Sequence, residues 1–204
     1  DPARRRELLE QAVVESLAAL RQRPCCIPAI ANLVLVLERL GRTREALYWS
    51  SLVTALSPRS ADAAWARAGL LVARGEWSEA AAWYARVRHL KPSQTTAIHN
   101  EVSCLTSAGR DMEALFLLCQ ELRRDPLEPL TWTNLGVVHR RLGRNNMAVD
   151  CFARAVELEP AATPAKWGRS LALLALGQME EGWREYEWGL TTGDRKPPRP
   201  FTAP

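Results

Sequence analysis

The sequence has few of the features that define membrane-spanning, secreted or disordered proteins. No apolar run reaches the ~18 residues that cross a bilayer, and no signal-peptide pattern opens the chain. Its five cysteines include no C-x-x-C pair, which argues against a disulfide framework and a zinc site. With 47% hydrophobic residues, 11 glycines and 13 prolines, the composition is that of an ordered chain. We therefore expect an ordered cytoplasmic protein that neither binds a metal nor enters a membrane.

Charge and motif content narrow the function further. The 27 basic residues are scattered among 23 acidic ones, and the net charge of +4 is mild. No basic stripe is interleaved with aromatic residues, so nucleic acid is not an expected partner. The sequence contains no G-x-G-x-x-G, no phosphate loop and no H-E-x-x-H, and its three histidines fall in separate segments. We expect neither a catalytic site nor a cofactor within these residues.

Residues 129–162 predict two short amphipathic helices joined at a glycine. Trp132, Leu135 and His139 share one face of the first helix, and Gly143 ends it. A second periodic run follows and closes at Pro160. Such a helix pair exposes too much apolar surface to be stable alone, so it requires neighbouring copies.

The copies are visible as residue columns that recur every 34 positions. Each 34-residue copy has a glycine in the turn, a proline in the linker, a small residue within the second helix and, in most copies, a large apolar residue four positions later. The glycine column is Gly41, Gly75, Gly109, Gly143 and Gly177; the proline column is Pro24, Pro58, Pro92, Pro126 and Pro160; the small column is Ala12, Ala46, Ala80, Ala114, Ala148 and Gly182; the large column includes Tyr84, Leu118, Phe152 and Tyr186.

This pattern resembles the tetratricopeptide repeat (TPR), and the resemblance covers roughly residues 1–190. It implies an all-α fold, a right-handed α-solenoid of antiparallel helix pairs with 11 helices. Residues 1–24 hold a leading helix at 2–22, which is either a cap or the half repeat of a longer array. Five repeats occupy 27–190, with registers 27–60, 61–94, 95–128, 129–162 and 163–196. First helices are predicted near 28–40, 61–73, 95–108, 129–142 and 164–176, and second helices near 44–56, 77–90, 111–124, 145–158 and 179–190.

Two smaller expectations follow from the same register. Ser78, Asp111 and Asn145 are expected to cap second helices. Residues 191–204 contain four prolines and no apolar period, so they are expected to form a tail or an interdomain linker.

An asparagine recurs at the sixth position of three first helices, at Asn32, Asn100 and Asn134. Asparagine is a mediocre helix former, so its recurrence needs a reason. A carboxamide can donate to and accept from one peptide unit, and a row of them could hold an extended chain by its backbone. Ala66 and Gly168 interrupt the row. The alternative is that these asparagines bond the backbone of the neighbouring repeat and serve packing.

Residues beside this row complete the predicted peptide-binding surface. Trp65, His99 and Thr133 stand at fifth positions, and Arg140 stands at a twelfth. Trp65, like Trp167, is either a platform for an apolar partner side chain or a filler of the gap beside a smaller neighbour. The sequence resembles the repeats of O-linked N-acetylglucosamine transferases, where an asparagine ladder binds substrate peptide, and this implies the same use here.

The last repeat adds a second resemblance. Its G-W-x-x-Y-E-W segment, with Trp183, Tyr186 and Trp188, is followed by the Arg/Pro-rich residues 195–204. Together they resemble bacterial proteins in which a TPR array precedes a glycosyltransferase domain. The aromatic residues are expected either to be covered by that domain or to cap the array's own core.

Two hypotheses of function follow. In the first, the module binds a polypeptide acceptor for a glycosyltransferase domain beyond residue 204, which the resemblance implies uses a nucleotide sugar on a surface or filament protein such as a flagellin. In the second, it is a stand-alone scaffold for complex assembly or secretion. Self-association through the aromatic end is a third option.

Overall fold

A computed structural model describes the backbone of residues 2–191 and the side chains up to Tyr186. Every secondary-structure element in that range is helical, which confirms the all-α prediction. The helices are α1 Pro2–Gln22, α2 Ile27–Arg39, α3 Thr43–Leu56, α4 Ala61–Arg74, α5 Trp77–Leu90, α6 Thr96–Ser107, α7 Asp111–Arg124, α8 Pro129–Arg141, α9 Asn145–Leu158, α10 Thr163–Ala175 and α11 Met179–Thr191. Each end lies within one residue of its predicted position. The predicted Pro-rich tail, from residue 192 onward, lies outside the described residues.

The chain divides into two compact units. Unit 1 comprises residues 1–108 and contains α1 to α6; unit 2 comprises residues 109–204 and contains α7 to α11. Within each unit, consecutive helices pack against one another, and in unit 2 α8 also contacts α10. In unit 2 the first helix α8 therefore contacts the first helix α10 of the next repeat, as well as the second helix α9 between them. No helix of residues 2–191 is long and apolar enough to cross a membrane.

The turn inside each repeat is fixed by its glycine. Gly75 follows α4 with φ 77°, a left-handed conformation that an L side chain rarely adopts. The next amide, of Glu76, then donates to the carbonyl of Leu71 and satisfies a carbonyl at the end of the helix. The other four glycines of the column have φ between 73° and 79°, so one turn geometry recurs throughout.

The predicted caps of the second helices are wrong by one or two residues. Asp111 and Asn145 are the first residues of α7 and α9, Ser78 is the second of α5, and the capping position belongs to the residue after each glycine. At α7 that residue is Arg110, whose guanidinium pairs with Glu113 at 2.6 Å. The left-handed glycine moves the helix start forward, and an ion pair across the first turn stands where a side-chain cap was expected.

Small residues let first and second helices approach closely. Ala46 and Ala80 in unit 1, and Ala114 and Ala148 in unit 2, are all 0% exposed. Gly182 in α11 takes the same position, and a Cβ there would lie 2.8 Å from the Leu174 side chain. The predicted small column is therefore buried in these repeats, and at Gly182 the helices leave no room for a side chain.

Candidate functional site

The asparagine row lies on first helices, but its members differ in environment. Asn32 on α2 is exposed, whereas Asn100 on α6 and Asn134 on α8 are half-buried. Among the described residues, the Asn32 and Asn100 carboxamides form no hydrogen bond, while Asn134 already has an interaction within the protein. Asn32 and Asn100 thus keep their donors and acceptors for another molecule.

The two residues that interrupt the row lie in different environments. Ala66 on α4 is exposed and stands beside a cavity. Gly168 on α10 is buried, and a Cβ there would overlap the ring of Phe152. Gly136 on α8 meets the same ring from the other side, where a Cβ would lie 2.7 Å from it. Gly168 is therefore a packing residue, since the Phe152 ring takes the space that a side chain would need.

The residues predicted beside the row do not all face solvent. Thr133 is 6% exposed and its hydroxyl donates to the Pro129 carbonyl at 3.0 Å, so little of this side chain faces solvent. Trp65 is half-buried and meets Tyr84 edge to face, with ring centroids 5.2 Å apart. That contact favours gap filling for Trp65, whereas Trp167 is 38% exposed.

His99 and Arg140 are half-buried. His99 has an interaction within the protein, and the Nε of Arg140 is buried without a hydrogen-bond partner in the described part of the chain. Both side chains therefore reach solvent only in part.

His139 on α8 is half-buried, at a repeat position that is otherwise leucine. Its Nδ1 is buried and finds no hydrogen-bond partner among the described residues. Burial, and then the charge of Arg144, lower the pKa of His139 below its usual value, because both disfavour the imidazolium. The neutral ring is a packing group and a poor candidate for proton transfer.

The aromatic end of unit 2 is partly open. Trp183 is 52% exposed and meets the half-buried Tyr186 edge to face, with ring centroids 5.4 Å apart. An ion pair of Arg169 with Glu185 joins α10 to α11, with one N–O distance of 2.8 Å. The side chain of Trp188 lies outside the described residues. Trp183 thus presents an indole face that the array's own core does not cover.

Unit 1 contains a site that the sequence did not predict. A largely apolar cavity of about 270 Å³ opens between α2, α3 and α4. Val34 from α2, Ser50 from α3 and Ala66 from α4 line it, and two exposed acidic residues, Glu38 and Asp62, stand at its wall. The sequence does contain an indication of this cavity. The large column continues upstream from Tyr84 to position 50, where a small serine stands in place of a large apolar residue.

Comparisons with known proteins identify the repeats. Two family models, both described as tetratricopeptide repeat, match residues 32–95 and 129–162. The helical repeats in these two ranges are therefore TPR repeats.

Curated relatives share the chain only in part. Human tetratricopeptide repeat protein 7B is 27% identical over 131 residues, which are 62% of this chain and 15% of that protein. Protein FlbA of Caulobacter vibrioides is 27% identical over 108 residues, which are 53% of this chain and 18% of that protein. The chain thus spans only a small fraction of either relative.

Solved structures share the fold. A TPR protein from Parabacteroides merdae superposes with a TM-score of 0.76 at 18% identity, covering 93% of this chain and 74% of that one. PilW, a type IV pilus biogenesis factor, gives 0.68 at 17% identity, covering 92% and 87%. YrrB, described as a TPR protein with an unusual peptide-binding site, gives 0.63 at 14% identity, covering 86% and 91%. At these identities the likeness concerns the fold alone.

Proposed function

We propose that this TPR protein binds an extended polypeptide along the faces of its first helices. The observation that carries the proposal is the state of Asn32 and Asn100 in unit 1. Both carboxamides stand at the same repeat position, reach solvent and form no hydrogen bond among the described residues. Each can donate to and accept from the backbone of a bound chain. The peptide-binding site ascribed to YrrB is a precedent within this fold.

The energetics suit a weak, sequence-tolerant interaction. One hydrogen bond between neutral groups contributes about 0.5–1.5 kcal/mol net. A few carboxamides therefore hold the backbone of a peptide without selecting its side chains. Selectivity has to come from other contacts beside the row.

Replacing two of the asparagines tests the proposal. Asn32→Ala with Asn100→Ala should reduce partner capture from the source cell about tenfold, because two bonds of this size are lost. The measurement is quantitative mass spectrometry of the proteins retained by immobilised wild type and variant. Asn146→Ala is the matched control, since Asn146 is exposed on the second helix α9. Undiminished capture together with a large fall in melting temperature would support the packing role and remove this proposal.

We further propose that the module delivers a polypeptide acceptor to a glycosyltransferase domain in the full-length protein. The support is the Gly182-Trp183 to Trp188 segment and the exposed indole of Trp183, which offers a following domain an apolar face. The reading frame downstream of Pro204 tests it: an α/β pattern supports the linkage, and an early stop codon removes it. A stop would leave the stand-alone scaffold, and light scattering over a concentration series detects self-association through Trp183.

A further inference from the structure

The cavity of unit 1 stands where unit 2 has a buried aromatic ring. Three steps of 34 residues upstream from Phe152 lead to Ser50. The same steps from Gly136 and Gly168, which pack against the Phe152 ring, lead to Val34 and Ala66. All three of these unit 1 residues line the cavity. In unit 2 the equivalent space between α8, α9 and α10 holds the Phe152 ring, which is 0% exposed.

The internal repeat therefore indicates what the cavity accepts. Ser50 is too small to cross the gap, and its hydroxyl is engaged with the Leu47 carbonyl at 2.8 Å and so is turned toward its own helix. Most of the remaining surface is apolar and comes from residues such as Leu35 and Val53. An apolar site of this shape is filled favourably by a large apolar side chain, as Phe152 fills its counterpart.

Charge at the wall indicates what accompanies that side chain. Glu38 and Asp62 are exposed, and neither forms an ion pair within the described residues. Arg67 bonds to the cavity lining, since its guanidinium donates to Ser50 Oγ at 3.5 Å, but its charge is paired with Glu79 at 3.4 Å. The two carboxylates are thus available to a positively charged group of a ligand.

We propose that unit 1 is an anchor site for a partner peptide in which an aromatic or large aliphatic residue stands next to a lysine or arginine. The apolar side chain enters the cavity lined by Ser50, and the cation lies at Glu38 and Asp62. This rests on the proposed function, because the peptide backbone is held by the first helices that carry Asn32 and Asn100. It supplies the selectivity that the carboxamides lack.

The test uses short random peptides displayed on phage and selected on the whole protein. The expected result is enrichment of sequences with a large apolar residue beside a lysine or arginine. Ser50→Leu should fill the cavity and weaken the selected peptides at least about tenfold, the effect of burying one large apolar side chain. The chain tolerates leucine at this position of another repeat, since Leu118 occurs together with Val102 in the columns of Ser50 and Val34.

Two further variants keep the result decisive. Ser51→Leu is the matched control, because Ser51 is the exposed neighbour on α3 and does not line the cavity. It should leave peptide binding unchanged. Glu38→Lys with Asp62→Lys changes only exposed groups and should shift the selected flanking residue from basic to acidic. This second pair decides the matter even if Ser50→Leu proves unstable by circular dichroism.

The outcomes separate this inference from the function on which it rests. Selected peptides that lack the apolar–basic pair, bind Ser50→Leu as well as wild type and depend on Asn100 would overturn the anchor and leave the proposed function standing. A selection that enriches nothing above an empty resin overturns both. Enrichment that follows the charge reversal supports the anchor.

Discussion

The Ser50 junction of unit 1 and the Phe152 junction of unit 2 are the same place in the repeat with opposite solutions. In unit 2 an aromatic ring fills the space, and two glycines make room for it. In unit 1, Ser50 stands at the position of Phe152, and Val34 and Ala66 stand at the positions of the two glycines. A cavity of about 270 Å³ remains between these residues. The size of one side chain at this repeat position therefore decides whether the space between the helices is filled by the protein's own core or left open.

The largest predicted effect is on the filled junction. Phe152→Ala should destabilise unit 2 by about 3–5 kcal/mol, because a fully buried ring is removed from between two helices. Urea unfolding monitored by circular dichroism measures it. Phe116→Ala on α7 is the control, since that ring is 65% exposed and its loss should cost less than about 0.5 kcal/mol. Equal costs for the two variants would contradict the packing described for Phe152.

The glycines give the next effect, with opposite signs in the two units. Gly168→Ala should destabilise by about 1–3 kcal/mol, because the new Cβ overlaps the Phe152 ring. Gly69→Ala on α4 should instead stabilise by about 0.5–1 kcal/mol, because its Cβ meets nothing within 4 Å and alanine favours a helix. Thermal unfolding distinguishes the signs, and a stabilised Gly168→Ala would mean that the ring is not wedged as described.

A third difference concerns a core leucine. Leu37, Leu71 and Leu105 in unit 1 are at most 5% exposed, as is Leu173 in unit 2, whereas the preceding repeat of unit 2 has His139 at this position. Because the pKa of His139 is lowered in the folded state, the unfolded chain binds the proton first, and stability falls as pH drops through about 6.5.

His139→Leu should remove that loss and stabilise unit 2 by about 1 kcal/mol at neutral pH, since a buried nitrogen without a partner is eliminated. Denaturant titrations above and below that pH, compared with wild type, measure both effects. If wild type and His139→Leu lost the same free energy of unfolding between the two pH values, the pKa of His139 would not be lowered in the fold.

The smallest effect concerns thiol chemistry. Cys151 is buried beside Phe152, and burial raises the pKa of its thiol to about 11, with Asp150 and Cys119 adding to the shift. Iodoacetamide near pH 8 should therefore modify the exposed Cys25 and Cys119 but not Cys151, since the thiolate is the reactive form. Mass spectrometry of peptides from the labelled protein locates the modification. Phe152→Ala should make Cys151 reactive, and rapid labelling of the wild type would mean that this junction opens readily.

Most of the fold follows from the sequence, because each repeat packs only on its neighbours and its columns state the packing directly. The site follows less well. The large column predicts bulky core residues at Tyr84, Leu118 and Phe152, but it does not indicate that a serine at position 50 leaves a cavity. Gly168 interrupts the asparagine row in the sequence, although its role is set by a ring from another helix. Column identity alone does not reveal such contacts, nor that the hydroxyl of Thr133 points to its own backbone.

The five left-handed glycine turns have one more consequence. They share φ values between 73° and 79°, and a Cβ at Gly41, Gly109 or Gly143 meets nothing within 4 Å. Alanine at any of these turns therefore imposes the same local strain and no new collision. A set of such single substitutions applies one calibrated perturbation at successive points along the chain. For each variant, amide hydrogen exchange would show which repeats lose protection. The number of repeats affected by one substitution then measures how far unfolding is cooperative along the chain.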